Sequence, residues 1–93
     1  MSWTVELNRS ARKDLKSIRD RTLRRRLTAA MHALATDPRP AGAIRLQGYP
    51  TLLRIRVGDW RICYRIEDDR LVVLVITIAP RGEVYDRVSR REG

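Results

Sequence analysis

A β-hairpin near the middle of the chain limits the possible folds more than any other segment. Apolar and polar side chains alternate on both sides of Gly58-Asp59, a pair typical of a two-residue turn. Such a turn sets Arg56 opposite Arg61 and Arg54 opposite Cys63. The period of two gives the hairpin an apolar face, which comprises Leu53, Ile55, Val57, Trp60, Ile62, Tyr64 and Ile66. The other side, called the basic face below, comprises Leu52, Arg54, Arg56, Arg61, Cys63 and Arg65.

The basic face is unfavourable for folding by itself. Like charges directly opposite each other on antiparallel strands destabilise the pair by some tenths of a kcal/mol. Arginine does not relieve this repulsion by losing a proton, because the guanidinium stays charged in proteins. Its planar group pairs well with phosphate oxygens, so a polyanion would turn the repulsion into attraction. A phosphate site and a solvated basic strand both fit the hairpin taken alone.

The composition favours an anionic partner. The 93 residues include 20 Lys and Arg against 11 Asp and Glu, a formal charge of +9. Nucleic acid is the leading candidate and an anionic membrane surface the weaker one. The single cysteine excludes an internal disulfide and a cysteine-rich zinc site. Because the N-terminus has no signal core and no apolar run spans a bilayer as a helix, we expect a cytoplasmic protein with no membrane partner.

Periodicity predicts the other elements. Residues 3–7 alternate as a short strand, and apolar residues recur at helical spacing over 11–18. A second helix begins at Asp20 and ends at Asp37-Pro38. A brief strand at 44–46 precedes the hairpin. The run L-V-V-L-V-I-T-I at 71–78 is apolar on both faces, so we expect it to be the most buried strand.

The predicted fold class is therefore α+β. It consists of an N-terminal strand, an αα-hairpin and then a three- to four-stranded, mostly antiparallel twisted sheet, as a two-layer domain. We expect the helices to cover one face of the sheet and the basic face to stay open. Residues 1–93 are predicted to form one domain, with a polar tail at 89–93 that frays. Residues 81–85 follow the last strand in a loop, where functional groups often lie.

Four segments resemble those of the RelE/ParE superfamily of bacterial toxins. They are A-R-K-D-L at 11–15, the helix end at Asp37-Pro38, R-I-R-V-G-D-W-R-I-C-Y-R-I at 54–66 and P-R-G-E-V-Y at 80–85. The resemblance implies a small α+β toxin of RelE-like fold, neutralised by an antitoxin that is usually encoded beside it. RelE-like members cleave mRNA in the ribosomal A site, whereas ParE-like members inhibit DNA gyrase.

The resemblance also implies a set of site residues. RelE-like members use basic residues on the central strands, an Arg after the last long strand and a Tyr near the C-terminus. The matching catalytic positions here are Arg54, Arg56, Arg61, Arg81 and Tyr85. Further candidates for RNA contacts are Arg45, Arg65, Lys13 and Lys16. The first two catalytic positions carry Lys in the most active members, and Arg does not exchange protons as Lys does, so we expect a slower or context-dependent nuclease.

These residue types suit RNA cleavage by its own 2′-hydroxyl. The transition state carries extra negative charge on phosphate oxygens, which preorganised arginines stabilise, and Tyr85 is the one conventional acid–base candidate in the set. The sole histidine, His32, is predicted to face solvent on the second helix, and so is the run Arg24-Arg25-Arg26, which could also touch rRNA phosphates. We expect neither a metal ion nor another cofactor.

The leading hypothesis is a ribosome-dependent mRNA endoribonuclease, the toxin of a type II toxin–antitoxin system. Its expected partners are mRNA in the ribosomal A site, rRNA and an antitoxin with an acidic or partly disordered segment. Operator DNA would be bound only through the antitoxin. Two alternatives stay open: a non-catalytic gyrase inhibitor of the ParE type, and an inactive relative that binds an antitoxin.

Overall fold

The computed structural model describes residues 2–92, in which five strands form one mixed sheet with three α-helices packed against it. The α+β class predicted from the sequence is confirmed. The elements in chain order are β1 (Thr4–Leu7), α1 (Arg9–Ser17), α2 (Arg21–Ala33), β2 (Ile44–Leu46), β3 (Tyr49–Val57), β4 (Trp60–Glu67), β5 (Val72–Pro80) and α3 (Val84–Glu92). Within this range, no helix has the length and apolar character needed to cross a lipid bilayer.

The strand order across the sheet is β1-β5-β4-β3-β2. Strand β1 pairs with β5 in parallel, and the other neighbours are antiparallel. The central hairpin has the predicted register, with Arg56 opposite Arg61 and Arg54 opposite Cys63. Gly58 has a φ of +60°, which a tight turn requires and which glycine adopts without strain.

Helices α1 and α2 begin at side-chain caps and cover the apolar face of the sheet. Asn8 Oδ1 accepts a hydrogen bond from Ala11 N at 2.9 Å, and Asp20 Oδ1 accepts one from Leu23 N at 3.1 Å. The main core lies between these helices and the sheet and includes Leu27, Met31, Leu34, Ile55, Ile62, Tyr64, Val73, Val75 and Ile78. The loop after α2 is fixed to this core, because the buried Tyr64 hydroxyl donates to Pro38 O at 2.8 Å.

A third helix, which the sequence did not predict, covers part of the basic face. Helix α3 packs Val84 and Val88 onto a second core with Leu46, Leu52, Cys63, Ile76 and Ala79. The expectation that this face stays open is therefore wrong for its middle part. Residues 89–92, predicted as a frayed tail, form the last turn of α3, and Gly93 lies outside the described residues.

The burial of Cys63 under α3 leads to a testable chemical prediction. Burial raises the pKa of the Cys63 thiol to about 12, so only about one molecule in 10⁴ carries the thiolate at pH 8. We expect native protein to react with a disulfide reagent such as dithionitrobenzoate roughly 10³-fold more slowly than protein in urea. Absorbance of the released thiolate measures the rate. Equal rates in both states would show that α3 does not cover Cys63.

Candidate functional site

Four of the five predicted catalytic side chains line one cleft of about 310 Å³, called the arginine cleft here. Its lining residues are Arg54, Arg61, Arg81, Gly82, Val84 and Tyr85. Arg54 comes from β3 and Arg61 from β4, so the hairpin supplies the floor of the cleft. The segment after β5 and the first turn of α3 supply its wall. Arg54 and Arg81 thus meet although they are far apart in the sequence, because β3 ends, β4 begins and β5 ends at the same edge of the sheet.

Arg61 lies at the centre of the positive charge. Its Nη1 donates to Gly58 O at 3.1 Å and to Trp60 O at 3.0 Å, so the half-buried guanidinium is held in place. Burial lowers the pKa of Arg61 from its ordinary value, and the charges of three neighbouring arginines lower it further. Those neighbours are Arg54, Arg56 and Arg81. The repulsion expected from the hairpin register is thus present in the folded protein.

No carboxylate neutralises this cluster among the ion pairs of residues 2–92. The bridges within that range belong to Arg39, Arg65, Arg70, Arg87 and Arg91. Asp59, in the hairpin turn, is the one carboxylate that raises the pKa of Arg61, and its effect is smaller than that of each arginine. The cleft therefore offers guanidinium donors to an external anion, and a phosphodiester matches their geometry.

The turn after β5 explains the positions of Arg81 and Tyr85. Arg81 N donates to Asp59 O at 2.7 Å, which fastens the end of β5 to the hairpin turn. Gly82 has a φ of +90°, so the chain reverses there into α3. Val84 then faces the second core while Tyr85, 48% exposed, faces the cleft.

Tyr85 is anchored by a backbone donor. Its Oη accepts a hydrogen bond from Gln47 N at 2.9 Å, across the loop between β2 and β3. Because that bond occupies an oxygen lone pair, the phenol proton remains available for another acceptor. Tyr85 is thus fixed at the cleft with its hydroxyl hydrogen free to donate to a bound ligand.

Arg56 and the four predicted RNA-contacting residues lie elsewhere. Arg56 is exposed at the hairpin tip, where its Nε donates to Gly58 O at 3.2 Å. Arg45 is exposed on the outer strand β2. Arg65 forms ion pairs with Glu92 at 3.3 Å and Glu67 at 3.8 Å, so internal carboxylates already neutralise it. The remaining two, Lys13 and Lys16, line a separate groove on α1 with Leu7, Arg9 and Arg12.

An ionic network that the sequence did not predict surrounds Asp14, which is only 7% exposed on α1. Its Oδ2 accepts from Ile78 N at 2.9 Å and from Arg91 Nη1 at 2.7 Å, while Oδ1 accepts from Arg91 Nη2 at 2.9 Å. Arg87 Nη1 adds a contact at 3.3 Å. The signal available in the sequence was the position of Asp14 three residues after Ala11, on the face of α1 that packs inward.

The network joins α1, on one face of the sheet, to α3, on the other. Arg87 and Arg91 belong to α3, the helix that begins beside Tyr85, and Asp14 belongs to α1. The hydrogen bonds that Arg91 donates to Asp14 raise the pKa of that guanidinium, as does the opposite charge of the carboxylate, although burial works against it. Asp14 therefore holds α3 on the sheet and is separate from the cleft.

Two further residue groups stay outside the cleft. His32 is exposed on α2 beside Arg21, Arg24 and Arg25, as the sequence predicted for a solvent-facing histidine. Over residues 2–92, no three His, Cys, Asp or Glu side chains lie together as they would around a metal ion. The polar side chains that line the arginine cleft are thus three arginines and one tyrosine.

Comparison with known proteins finds relatives along nearly the whole chain. Residues 5–85 match the family model described as "ParE toxin of type II toxin-antitoxin system, parDE". Toxin RelG of Mycobacterium tuberculosis is 28% identical over 87 residues, which cover 94% of this chain and 100% of RelG.

Solved structures give the same fold. A double mutant of E. coli toxin RelE in the free state has a TM-score of 0.79 and 24% identity, covering 98% of each chain. The archaeal RelE-RelB complex from Pyrococcus horikoshii has a TM-score of 0.75 and 28% identity, covering 88% of this chain and 98% of that one. The topology described above is therefore that of RelE toxins.

Proposed function

Because the chain belongs to the ParE toxin family of type II toxin–antitoxin systems, within the RelE/ParE superfamily, we propose that it cleaves mRNA in the ribosomal A site. One observation carries the proposal: Arg54, Arg61 and Arg81 converge, without internal carboxylate partners in residues 2–92, beside the phenol of Tyr85. A binding surface for an anion needs only the arginines. A phenol fixed at the same cleft is not needed for binding, but it supplies a group for proton transfer, which cleavage requires.

The proposed reaction is an internal transfer of a phosphoryl group. The 2′-oxygen attacks the adjacent phosphorus, the bond from phosphorus to the 5′-oxygen breaks, and the products carry a 2′,3′-cyclic phosphate and a 5′-hydroxyl. The proton lost by the 2′-hydroxyl is balanced by the proton gained by the 5′-oxygen. Arg54 and Arg61 hold the phosphate oxygens, and Arg81 stabilises charge that develops near the leaving oxygen.

Tyr85 is assigned the proton transfer at one of these two oxygens. It is the one side chain of the cleft that belongs to the conventional acid–base residues, because arginine stays charged. The hydrogen bond from Gln47 N orients the phenol for this step. With arginines at 54 and 56, the other proton transfer passes to water or to ribosomal groups, which fits a slow enzyme that depends on the ribosome.

Primer extension on mRNA translated in a purified system tests the proposal. We expect wild-type protein to cut within the A-site codon and Arg61→Ala to lower the cleavage rate by about 10²–10³-fold, the effect of removing one preorganised donor from a transition-state anion site. Arg90→Ala removes the same charge from an exposed position of α3 and is expected to cleave like wild type. A toxic wild-type protein that leaves translated mRNA uncut would refute the nuclease.

Gyrase inhibition is the second candidate function. The matching family model favours it, since that model describes ParE toxins, and arginines stand at both hairpin positions that carry Lys in active nucleases. A supercoiling assay separates the two candidates. Inhibition of purified gyrase at near-stoichiometric ratios, with no cut in translated mRNA, would favour this function over cleavage.

An antitoxin is the proposed protein partner. The similar archaeal structure is a complex of RelE with RelB. In this chain, the positively charged arginine cleft and the outer strand β2, whose Ile44 is 53% exposed, would accept an acidic segment that folds on binding. We propose that the complex forms in the cytoplasm, that it meets operator DNA through the antitoxin, and that the free toxin meets mRNA and rRNA.

A further inference from the structure

Three guanidinium groups gather around the peptide of Gly58 at the hairpin tip. Gly58 O accepts hydrogen bonds from Arg56 Nε at 3.2 Å and from Arg61 Nη1 at 3.1 Å. The third group is Arg26, which reaches over from α2. A Cβ on Gly58 would lie 3.3 Å from Arg26 Nη2 and 3.4 Å from Nη1, so the guanidinium of Arg26 lies directly against the turn.

Arg26 thus differs from the other arginines of its run. The sequence predicted Arg24, Arg25 and Arg26 as one solvated helix face. In the structure, Arg24 and Arg25 line a groove with Leu15 and His32, whereas Arg26 lies against the hairpin turn. Arg26 is about 200° around the helix axis from Arg24, so it points away from that groove and toward the hairpin turn.

The cluster at the tip has unused donors. Each guanidinium has five N–H groups, and the Gly58 carbonyl accepts only one from Arg56 and one from Arg61. No ion pair within residues 2–92 includes Arg26 or Arg56. The charge of Arg56 acts on Arg61, and Arg26 lies against the same turn, so a phosphate group bound at the tip would meet guanidinium donors from the hairpin and from α2.

We propose that Arg26 and Arg56 form a second phosphate subsite, continuous with the arginine cleft through Arg61. Its ligand is a backbone phosphate of single-stranded RNA that neighbours the phosphate held in the cleft. The proposal rests on the proposed function for the identity of the ligand. Two phosphates held at neighbouring sites of the folded chain fix both the position and the direction of the RNA strand, which a single site does not.

The salt dependence of RNA binding tests the subsite. The probe is a fluorescent nine-nucleotide oligonucleotide with 2′-O-methyl groups throughout, which binds without being cut, and anisotropy gives its affinity from 50 to 300 mM KCl. Each phosphate contact in single-stranded nucleic acid contributes about 0.7 to the slope of log K against log salt. We expect Arg26→Ala to lower the slope by about 0.7 and to weaken binding about fivefold at 0.1 M salt.

Arg25→Ala is the matched control, because it removes the same charge from the next residue of the same helix. It should change the affinity for RNA only through the overall electrostatic field of the protein, and the slope of log K against log salt should stay near that of wild type. Thermal unfolding should show the same midpoint for both variants, since both side chains are exposed. Equal slopes for Arg26→Ala and Arg25→Ala would overturn the subsite, as would wild-type protein that fails to bind the probe at 50 mM KCl.

Cleavage of translated mRNA by wild-type protein is measured separately, so the two proposals fail in different ways. A slope change specific to Arg26→Ala, in a protein that never cuts mRNA, would keep the phosphate subsite and refute the nuclease. Normal cleavage with equal slopes would keep the nuclease and refute the subsite.

Discussion

Tyr85→Phe is expected to lower the rate of mRNA cleavage by about 10²–10⁴-fold, the contribution of one positioned proton-transfer group. The change removes a single oxygen atom and keeps the ring that closes one side of the cleft. Gln47 N loses its hydrogen-bond partner, but its residue is exposed and water can replace the phenol. Single-turnover primer extension on stalled ribosomes measures the chemical step, and the dependence of its rate on toxin concentration measures binding.

The loss should fall on the rate at saturating toxin and leave the half-saturating concentration close to that of wild type. Tyr49→Phe is the matched control, because it deletes the same hydroxyl group from a residue that packs against the second core and does not line the cleft. We expect it to cleave like wild type. A Tyr85→Phe protein that cleaves at the wild-type rate would remove Tyr85 from the chemistry and leave it a stacking or packing role.

The hairpin was predictable because the residues that determine its turn and register are close together in the sequence. The turn pair Gly58-Asp59 and a strict period of two fix which residues face each other, and the observed register follows. The family resemblance added the two distant members of the cleft, Arg81 and Tyr85, which no pattern in the hairpin could have located. Sequence periodicity and resemblance together thus indicated four of the six residues that line the cleft.

Helix α3 was not predictable from its own composition. Nine residues contain only two buried side chains, Val84 and Val88, in an otherwise polar stretch, so the segment resembled a solvated tail. Its stability comes from tertiary contacts, as is usual for short helices. The same contacts remove Arg65 from the predicted RNA surface, since Glu92 at the end of α3 pairs with it.

Long-range ion pairing was the other feature that could not be predicted from local sequence patterns. Asp14 lies 73 and 77 positions from its two arginine partners. Charged residues on a basic surface helix usually face solvent, and no residue near Asp14 in the sequence indicates its ion-pair partners. Arg26 was missed for a similar reason, because its neighbour Gly58 lies on another element.

Asp14→Ala is expected to lower the free energy of unfolding by about 3–5 kcal/mol, a large part of the stability of a small domain. It removes the acceptor for Ile78 N and leaves Arg87 and Arg91 without their shared carboxylate at a place where the structure is mostly closed to water. Urea unfolding followed by circular dichroism measures the change. The midpoint should fall by roughly 2 M if the slope m stays within the usual 1–3 kcal/mol/M.

Two control variants distinguish the loss of the buried network from the mere loss of one negative charge. Asp69→Ala removes a carboxylate from an exposed position in the turn before β5 and should change stability by no more than about 0.5 kcal/mol. Asp14→Asn keeps an oxygen for Ile78 N but loses the charge, so it should lie between the two. If Asp14→Ala unfolds at the same urea concentration as Asp69→Ala, the network does not hold α3. Tyr85, which α3 carries, would then owe its place at the cleft to the contacts of Val84, Val88 and Gln47 alone.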